Sequence, residues 1–224
     1  MTGGPQGGRT VLVSAAGDHA DPWHPFPATS ALLVELLEPV TGPIEVRDDV
    51  EGALADLVHR ARLLVLNLGD AGPERPSDEA AAGLLAHVAA GRPILALHSS
   101  TTTYPGWARW QALLGGRWVR DVTFHPDRGP SRVKVVAGHP LADGLGAFDT
   151  VDERYTALRT EPGIEVLAVH ELEGEQHPLA WTRDGRPSRV AYVALGHDEQ
   201  AYASEGMREL IRRSAAWLLG VRAG

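Results

Sequence analysis

Histidines that directly follow strand-like segments are the residues of this sequence best suited to chemistry. They occur in ALHSS, VAGHPLADG and ALGHDEQ and in the His-Pro contexts WHPF and FHPD, as His98, His139, His197, His24 and His125. A neutral imidazole binds a metal ion or acts as a general base near physiological pH, and a carboxylate such as Glu153 can share either task. The sequence has no closely spaced His-x-x-x-His pair, so spacing by itself gives weak support for a metal site.

The segment RPILALHSSTTTYPGW, residues 92–107, predicts a strand followed by a sharp turn into a helix. In α/β hydrolases such a turn displays a nucleophile, which makes Ser99 a candidate when it is paired with a histidine. The glycines that normally relieve crowding at this turn do not flank Ser99. The alternative is that Ser99 and the neighbouring hydroxyl side chains cap the helix or satisfy the turn.

A second group of chemically useful residues is VDERYT, residues 151–156, inside a run that otherwise resembles a strand. A strand of period two places Glu153 and Tyr155 on one face, with Asp152 and Arg154 on the other. If the first face meets a ligand crevice, Glu153 is a candidate acid or base and Tyr155 a hydrogen-bond donor. The competing interpretation is a solvated edge strand with charge pairs.

Aromatic side chains concentrate in or beside the same loops, as Trp23, Phe26, Tyr104, Trp107, Trp110 and Trp181. An indole face suits the C–H face of a sugar ring, whose hydroxyl groups then reach carboxylates and histidines. The same side chains equally serve as lids of the hydrophobic core.

The elements that position these residues alternate regularly in the first half of the chain. Continuously apolar strands are predicted at 10–15, 43–48, 62–68 and 92–98, with helical patterns between them at 29–40, 50–60 and 77–91. This alternation predicts a parallel sheet that helices cover on both faces. Ligands bind outside the carboxyl ends of such strands, so a polar crevice is expected from the loops that follow them.

The second half is richer in strands. Strand-like runs occupy 117–124, 131–137, 149–158, 164–171, 178–182 and 188–195, Asp184-Gly185 is a hairpin signal, and 204–220 is an amphipathic helix. The expected architecture is therefore an α/β doubly wound sheet with an added β-rich region. A flexible, glycine-rich tail is expected at 1–9 and a single domain at 10–220.

Composition excludes several function classes. The formal net charge is -8 and no basic stripe is visible, which argues against a nucleic-acid partner. The absence of cysteine excludes disulfides, thiolate metal sites and a cysteine nucleophile. Neither a dinucleotide-binding glycine turn nor a P-loop follows a strand, so no nucleotide cofactor is expected. Without a long apolar segment or signal-peptide features, we expect a soluble cytoplasmic protein and no membrane partner.

Short motifs in a fixed order resemble the trehalose utilization protein family, the ThuA-like domain. They are HPF (24–26), LHSS (97–100), WQALLGGRW (110–118), FHP (124–126), GHPLADGL (138–145), F-x-x-x-DERY (148–155), HPLAW (177–181), RVAYVALGH (189–197) and AAWLLG (215–220). The order and spacing of the motifs carry the resemblance, which runs from about residue 10 to 220.

The resemblance implies a flavodoxin-like sheet of the class I glutamine amidotransferase-like superfamily. LHSS stands where true amidotransferases carry their cysteine nucleophile, so thiolate-dependent glutaminase activity is excluded. The resemblance also implies bacterial carbohydrate metabolism, with a sugar, glycoside or 3-keto sugar as the small-molecule partner. The recurrent polar positions of the family fall on His24, His98, Ser99, His139, Glu153, Tyr155 and His197. A divalent metal is implied for some relatives, with ligands that the sequence does not identify.

The leading hypothesis is a sugar-processing enzyme in which His98 and Glu153 act as acid and base. His139 and His197 are expected to position substrate or bind a metal, His24 and Tyr155 to contact substrate, and Trp107 and Trp181 to pack on the sugar ring. Two alternatives stay open: a non-catalytic sugar-binding or protein-interaction module on a degenerate amidotransferase-like scaffold, and a hydrolase that uses Ser99. A homo-oligomer is also expected.

Overall fold

The computed structural model describes residues 8–57, 61–70, 72–185 and 187–222. The predicted tail at 1–9 thus lies outside the described residues except at its last two positions. In chain order the strands are β1 (Thr10–Ser14), β2 (Ile44–Arg47), β3 (Leu63–Asn67), β4 (Ile94–Leu97), β5 (Gly116–Arg117), β6 (Gly129–Val135), β7 (Phe148–Asp152), β8 (Arg159–Thr160), β9 (Glu165–Leu172), β10 (Glu175–Asp184) and β11 (Arg189–Val193). The α-helices are α1 (Phe26–Thr41), α2 (Val50–Gly52), α3 (Asp78–Ala89), α4 (Ala108–Leu114) and α5 (Glu205–Leu219).

The central sheet has the strand order β2-β1-β3-β4-β11-β10-β9-β6-β7. The first five strands of this order are mutually parallel, which is the flavodoxin-like arrangement expected from the sequence. Every residue of β1, β3 and β4 is buried, because helices cover both faces of this half of the sheet. The doubly wound α/β prediction is therefore confirmed.

The antiparallel half of the sheet is the added β-rich region. β10 pairs with β11 in a hairpin whose last pair is Asp184 and Arg189, as the Asp-Gly signal predicts. β9, β6 and β7 continue the sheet in antiparallel pairs, while β5 and β8 form a small separate ladder. Within the described residues, no helix is long and apolar enough to span a membrane.

Helix ends follow local side-chain chemistry. The Ser77 hydroxyl accepts a hydrogen bond from the Ala80 amide at the start of α3, and Ser204 accepts one from Met207 at the start of α5. Gly220 ends α5 in the left-handed conformation, at a φ of 67°. In the helix predicted at 50–60, α2 passes into a π-helical turn at Ala53–Leu57, and residues 58–60 lie outside the described residues.

Two predicted strands are wrong over most of their length. The run 117–124 forms a turn after Arg117, in which Asp121 has a φ of 62° and the Thr123 hydroxyl accepts from the Val119 amide. The run 149–158 stops at Asp152, whose side chain accepts a hydrogen bond from the next backbone amide. In both places local hydrogen bonds between side chain and backbone replace the strand ladder.

Candidate active site and its histidine–carboxylate cluster

Four side chains from four different strand ends meet at one edge of the sheet. They follow β1, β4, β7 and β11 and are His24, His98, Glu153 and His197. One potential ligand atom from each lies within 4.8 Å of all the others. The structure thus brings together four of the residues predicted from the sequence, and we call them the four-residue cluster.

His98 is fixed by the turn that follows β4. Its backbone has a φ of 39°, which is unusual for a residue other than glycine. Its Nδ1 lies 2.7 Å from the Ala194 carbonyl oxygen, which can only accept, so Nδ1 carries the proton and Nε2 faces the cluster. Burial lowers the pKa of His98 to about 4, against the opposing influence of Glu153, so the ring is neutral at physiological pH.

His24 is oriented by the buried carboxylate of Asp21. Its Nδ1 lies 2.7 Å from Asp21 Oδ1, and the same oxygen accepts from the backbone amides of Trp23 and His24. Burial favours the neutral acid, but these hydrogen bonds hold the pKa of Asp21 below its ordinary value. An ionised Asp21 therefore turns the His24 Nε2 toward the cluster.

Glu153 lies between three histidines. Its carboxylate oxygens are 3.4 Å from His98 Nε2, 3.3 Å from His197 Nδ1 and 3.6 Å from His125 Nε2. Burial opposes ionisation, yet contacts with His197 and His98 hold the pKa of Glu153 far below its ordinary value. Burial in turn lowers the pKa of His197, but the Glu153 carboxylate outweighs it and raises that pKa overall. Glu153 is therefore ionised at physiological pH and supplies the negative charge of the cluster.

Asp152 holds two of the cluster loops together from beneath. Its fully buried carboxylate accepts hydrogen bonds from the backbone amides of Glu153, Gly196 and His197, at 2.8, 2.7 and 3.2 Å. Burial raises its pKa to about 7, although the three amide hydrogen bonds favour the ionised form. The sequence pattern places Asp152 only on the strand face opposite Glu153 and Tyr155. It does not predict that the Asp152 carboxylate holds the two loops together.

Tyr155 closes the inner wall of the site. Its hydroxyl lies 3.1 Å from His98 Nε2, and its ring stacks on the His98 ring with centroids 4.6 Å apart. Trp118 packs edge-on against Tyr155 at 4.8 Å. Glu153 and Tyr155 both reach the site, as expected, but from an irregular segment rather than from one face of a strand.

Above the cluster lies a pocket of about 480 Å³. Its lining residues are Trp23, His24, Asp70, Ser99, Thr102, Trp118, His125, Glu153, Tyr155 and His197. Asp70, Thr102 and Trp118 were not predicted. Asp70 carries a usable signal, because it lies three residues after the end of β3 in the polar segment NLGDAGPERP. Trp118, in contrast, lies in a segment that the sequence pattern assigned to a strand.

Three predicted substrate-binding residues lie elsewhere. Trp181 is fully buried, and its Nε1 donates to the Leu114 carbonyl oxygen. Trp107 packs edge-on against Tyr104 at 6.3 Å. His139 accepts from the Leu141 amide and packs against Trp217 beneath α5. His139, Trp107 and Trp181 therefore do not line the pocket, contrary to the expectation from the sequence. The two tryptophans instead cover the hydrophobic core, as in the alternative interpretation.

The surroundings of the two remaining catalytic candidates, Ser99 and His98, restrict what their side chains can do. The Ser99 hydroxyl donates to the Leu68 carbonyl oxygen at 2.7 Å, as in the turn-satisfying alternative, rather than to a histidine. His98 is 1% exposed and does not line the pocket, since His24, Glu153 and Tyr155 surround its Nε2. A direct acid or base role for His98 therefore loses support, whereas Glu153 faces the pocket.

Comparison with known proteins identifies the family. A model of the ThuA family, described as trehalose utilisation, matches residues 13–218. The chain belongs to the ThuA family. No curated protein matches the sequence.

Solved structures of this family share the fold. A ThuA-like protein from Parabacteroides merdae superposes with a TM-score of 0.80 at 19% identity, over 95% of this chain and 90% of that one. A ThuA-like protein from Bacteroides uniformis gives 0.74 at 15% identity, over 94% and 91%. A β-galactosidase from Rahnella sp. R3 gives 0.66 at 16% identity, over 96% of this chain but 32% of the enzyme. The ThuA-type fold therefore also occurs as part of a much longer chain.

Proposed function

We propose that this ThuA-family protein is a cytoplasmic sugar-processing enzyme that binds a glycoside or 3-keto sugar in the pocket above the four-residue cluster. Family membership supports a role connected with carbohydrates. The observation that carries the proposal is a pocket lined by two tryptophans, three histidines and two carboxylates. Ligand sites of enzymes combine a concave shape with a few convergent polar groups in this way.

Two tryptophans supply the apolar part of the pocket. The Trp23 side chain is 66% exposed although it borders the pocket, and Trp118 lies across Tyr155 and His125. An exposed indole beside a polar cavity offers an apolar surface on which a ligand can pack. The C–H face of a sugar ring would cover Trp23, while its hydroxyl groups would face Asp70, Thr102 and Glu153.

Asp70 is the candidate proton-transfer group. It lines the pocket, and partial burial together with the negative charge of Asp21 raises its pKa, against the influence of Arg120. A carboxyl group with a raised pKa is suited to take up and return a proton.

For a 3-keto glycoside, the carbon between the carbonyl and the anomeric carbon carries an acidic proton. In the proposed reaction Asp70 removes that proton, the electron pair forms an enolate, and the enolate collapses by expelling the glycosidic oxygen from the anomeric carbon. The leaving alkoxide takes the proton back, so no oxidant or reductant is consumed. The Tyr155 hydroxyl lines the same pocket and can donate to the enolate oxygen.

The test is incubation of the purified protein with trehalose, sucrose and their 3-keto derivatives, followed by ¹H NMR. We expect consumption of a keto sugar, loss of turnover in Asp70→Asn, and weaker binding in Trp118→Ala. Trp107→Ala is the matched control, because Trp107 lies outside this pocket, and it should retain activity. Turnover by Asp70→Asn at the wild-type rate would remove the proposed base.

The alternative is a non-catalytic sugar-binding module, which the occurrence of the fold as a third of a β-galactosidase chain favours. A thermal shift with a sugar from which only unchanged sugar is recovered would support this alternative. Fractionation of the source cells tests the cytoplasmic location.

A further inference from the structure

We propose that His24, His98, His197 and Glu153 bind one divalent transition-metal ion of the zinc type. Its use in catalysis rests on the proposed function, but the binding of the ion is argued and tested without any sugar.

The first argument concerns the crowding around a single lone pair. Nε2 of His98 has one lone pair, because its Nδ1 proton is committed to the Ala194 carbonyl oxygen. Nevertheless three polar atoms converge on it: His24 Nε2 at 3.1 Å, the Tyr155 hydroxyl at 3.1 Å and Glu153 Oε2 at 3.4 Å. One lone pair cannot accept from all of them, and a carboxylate oxygen has no proton to give. A cation between these atoms removes the conflict.

The second argument is the orientation of His24. Its Nδ1 proton points to the Asp21 carboxylate, so a neutral His24 ring also presents a bare Nε2. Two imidazole lone pairs that face each other at 3.1 Å repel unless a proton or a metal ion lies between them. A carboxylate that receives the far N–H of an imidazole is the usual outer-shell partner of a metal-binding histidine.

His197 supplies a third nitrogen. Its Nδ1 is buried and lies 3.3 Å from Glu153 Oε1, without a hydrogen bond of normal geometry to any described residue. A metal ion bound by both the imidazole nitrogen and the carboxylate would use this contact. Asp152 fixes the backbone of this residue and of Glu153, so the two donors are preorganised.

The spacing of the donor atoms agrees with coordination. A zinc ion about 2.0–2.2 Å from four tetrahedral ligands separates the ligand atoms by about 3.3–3.6 Å. Three contacts within the cluster are 3.1, 3.3 and 3.4 Å, and all four ligand atoms lie within 4.8 Å of one another. Side-chain shifts of about 1 Å would bring the widest pairs to the tetrahedral separation.

The donor set selects the class of ion. Imidazole nitrogens favour zinc and neighbouring transition metals over magnesium and calcium, which prefer oxygen ligands. A bound ion of this class supplies Lewis-acid polarisation of a sugar oxygen. In that case Glu153 is a ligand rather than the free acid or base expected from the sequence, and Asp70 is left to move the proton.

The test uses the purified full chain, stripped with a chelator and then titrated with Zn²⁺ in competition with a chromophoric chelator. We expect one zinc ion per chain by elemental analysis, and a Co²⁺-substituted protein with the intense visible absorption of a low-coordinate site. His24→Ala and His197→Ala should bind zinc more than about 100-fold more weakly, a larger loss than that caused by outer-shell changes.

His177→Ala is the matched control, since His177 lies on β10, outside both the pocket and the four-residue cluster. It should bind zinc as the wild type does. Circular dichroism verifies that each variant folds. If an alanine variant does not fold, Glu153→Gln provides a further ligand variant.

Substoichiometric zinc in the wild type, or wild-type affinity in both folded histidine variants, would overturn the proposal and indicate a proton shared between His24 and His98. Zinc binding by a protein that converts no sugar would leave the metal site standing and remove the proposed function. Turnover of a keto sugar by zinc-free protein at the wild-type rate would leave the proposed function and the zinc site standing and remove only the use of the ion in catalysis.

Discussion

At the scale of single residues, the site depends on which nitrogen of each histidine carries its proton. Acceptors behind the cluster decide this: the Asp21 carboxylate for His24 and the Ala194 carbonyl oxygen for His98. Both rings consequently direct Nε2 toward the same point. Asp21 was not predicted, although its place three residues before His24 is the signal that could have found it.

Asp21→Asn should weaken zinc binding by about 10–100-fold, the usual effect of losing a carboxylate behind a ligating histidine. An asparagine amide can still hydrogen bond, but it lacks the charge that fixes the tautomer. Competition titration measures the loss, with Asp18→Asn on the exposed neighbouring turn as the control. Equal affinities for Asp21→Asn and the wild type would show that His24 needs no orienting carboxylate.

At the scale of elements, close packing between loops sets the positions of the side chains. A Cβ atom added at Gly69, in the loop after β3, would lie 2.6 Å from Asp21 Oδ2 and 2.7 Å from the Phe26 ring. The loops that follow β1 and β3 therefore touch only because residue 69 has no side chain.

Gly69→Ala should destabilise the fold by roughly 1–3 kcal/mol, as overpacking does, and should weaken zinc binding through the displaced Asp21. Urea denaturation and zinc titration measure the two effects. Gly146→Ala is the matched control, because a Cβ atom there meets nothing within 4 Å. A Gly69→Ala protein as stable as the Gly146→Ala protein would contradict the packing argument.

Asp152 couples the loops after β7 and β11 in a similar way. Asp152→Asn keeps one acceptor oxygen but places an NH₂ group among three backbone N–H donors. The expected loss of stability is about 1–3 kcal/mol, the cost of leaving buried polar groups without partners. Chemical denaturation tests this against Asp149→Asn, an exposed residue of the same strand. Identical denaturation midpoints would refute the bracing role.

The sequence predicts the sheet better than it predicts the pocket wall, for a physical reason. Continuously apolar strands and helical periodicity are local signals, and they place His24, His98 and His197 at strand ends. Whether a loop side chain then turns inward depends on contacts distant in the chain. Trp181 donates a hydrogen bond to the Leu114 carbonyl oxygen and is buried. Trp118 lines the pocket because its segment forms a turn, although the sequence pattern predicts a strand there.

At the scale of the whole molecule, the four-residue cluster links the parallel half of the sheet to the antiparallel half. His24, His98 and His197 come from parallel strands, whereas Glu153 follows β7 at the far antiparallel edge. A ligand that binds all four therefore joins both halves of the molecule and should stabilise the whole fold.

Zinc at about 100 times its dissociation constant should add about 2.7 kcal/mol to the free energy of unfolding. For a chain of this size the thermal midpoint then rises by about 5–10 °C. Differential scanning calorimetry with zinc and with a chelator measures the shift, and His24→Ala should abolish it. An equal rise in His24→Ala would mean that zinc binds elsewhere.

The claim at the centre of this account is that one metal ion lies among His24, His98, Glu153 and His197 at the floor of the pocket. The most direct measurement is the anomalous diffraction of zinc-loaded crystals, recorded on both sides of the zinc absorption edge. We predict one strong anomalous peak about 2.0–2.2 Å from a ligand atom of each of the four side chains. A peak at another position, or an empty cluster in zinc-saturated crystals, would contradict the account.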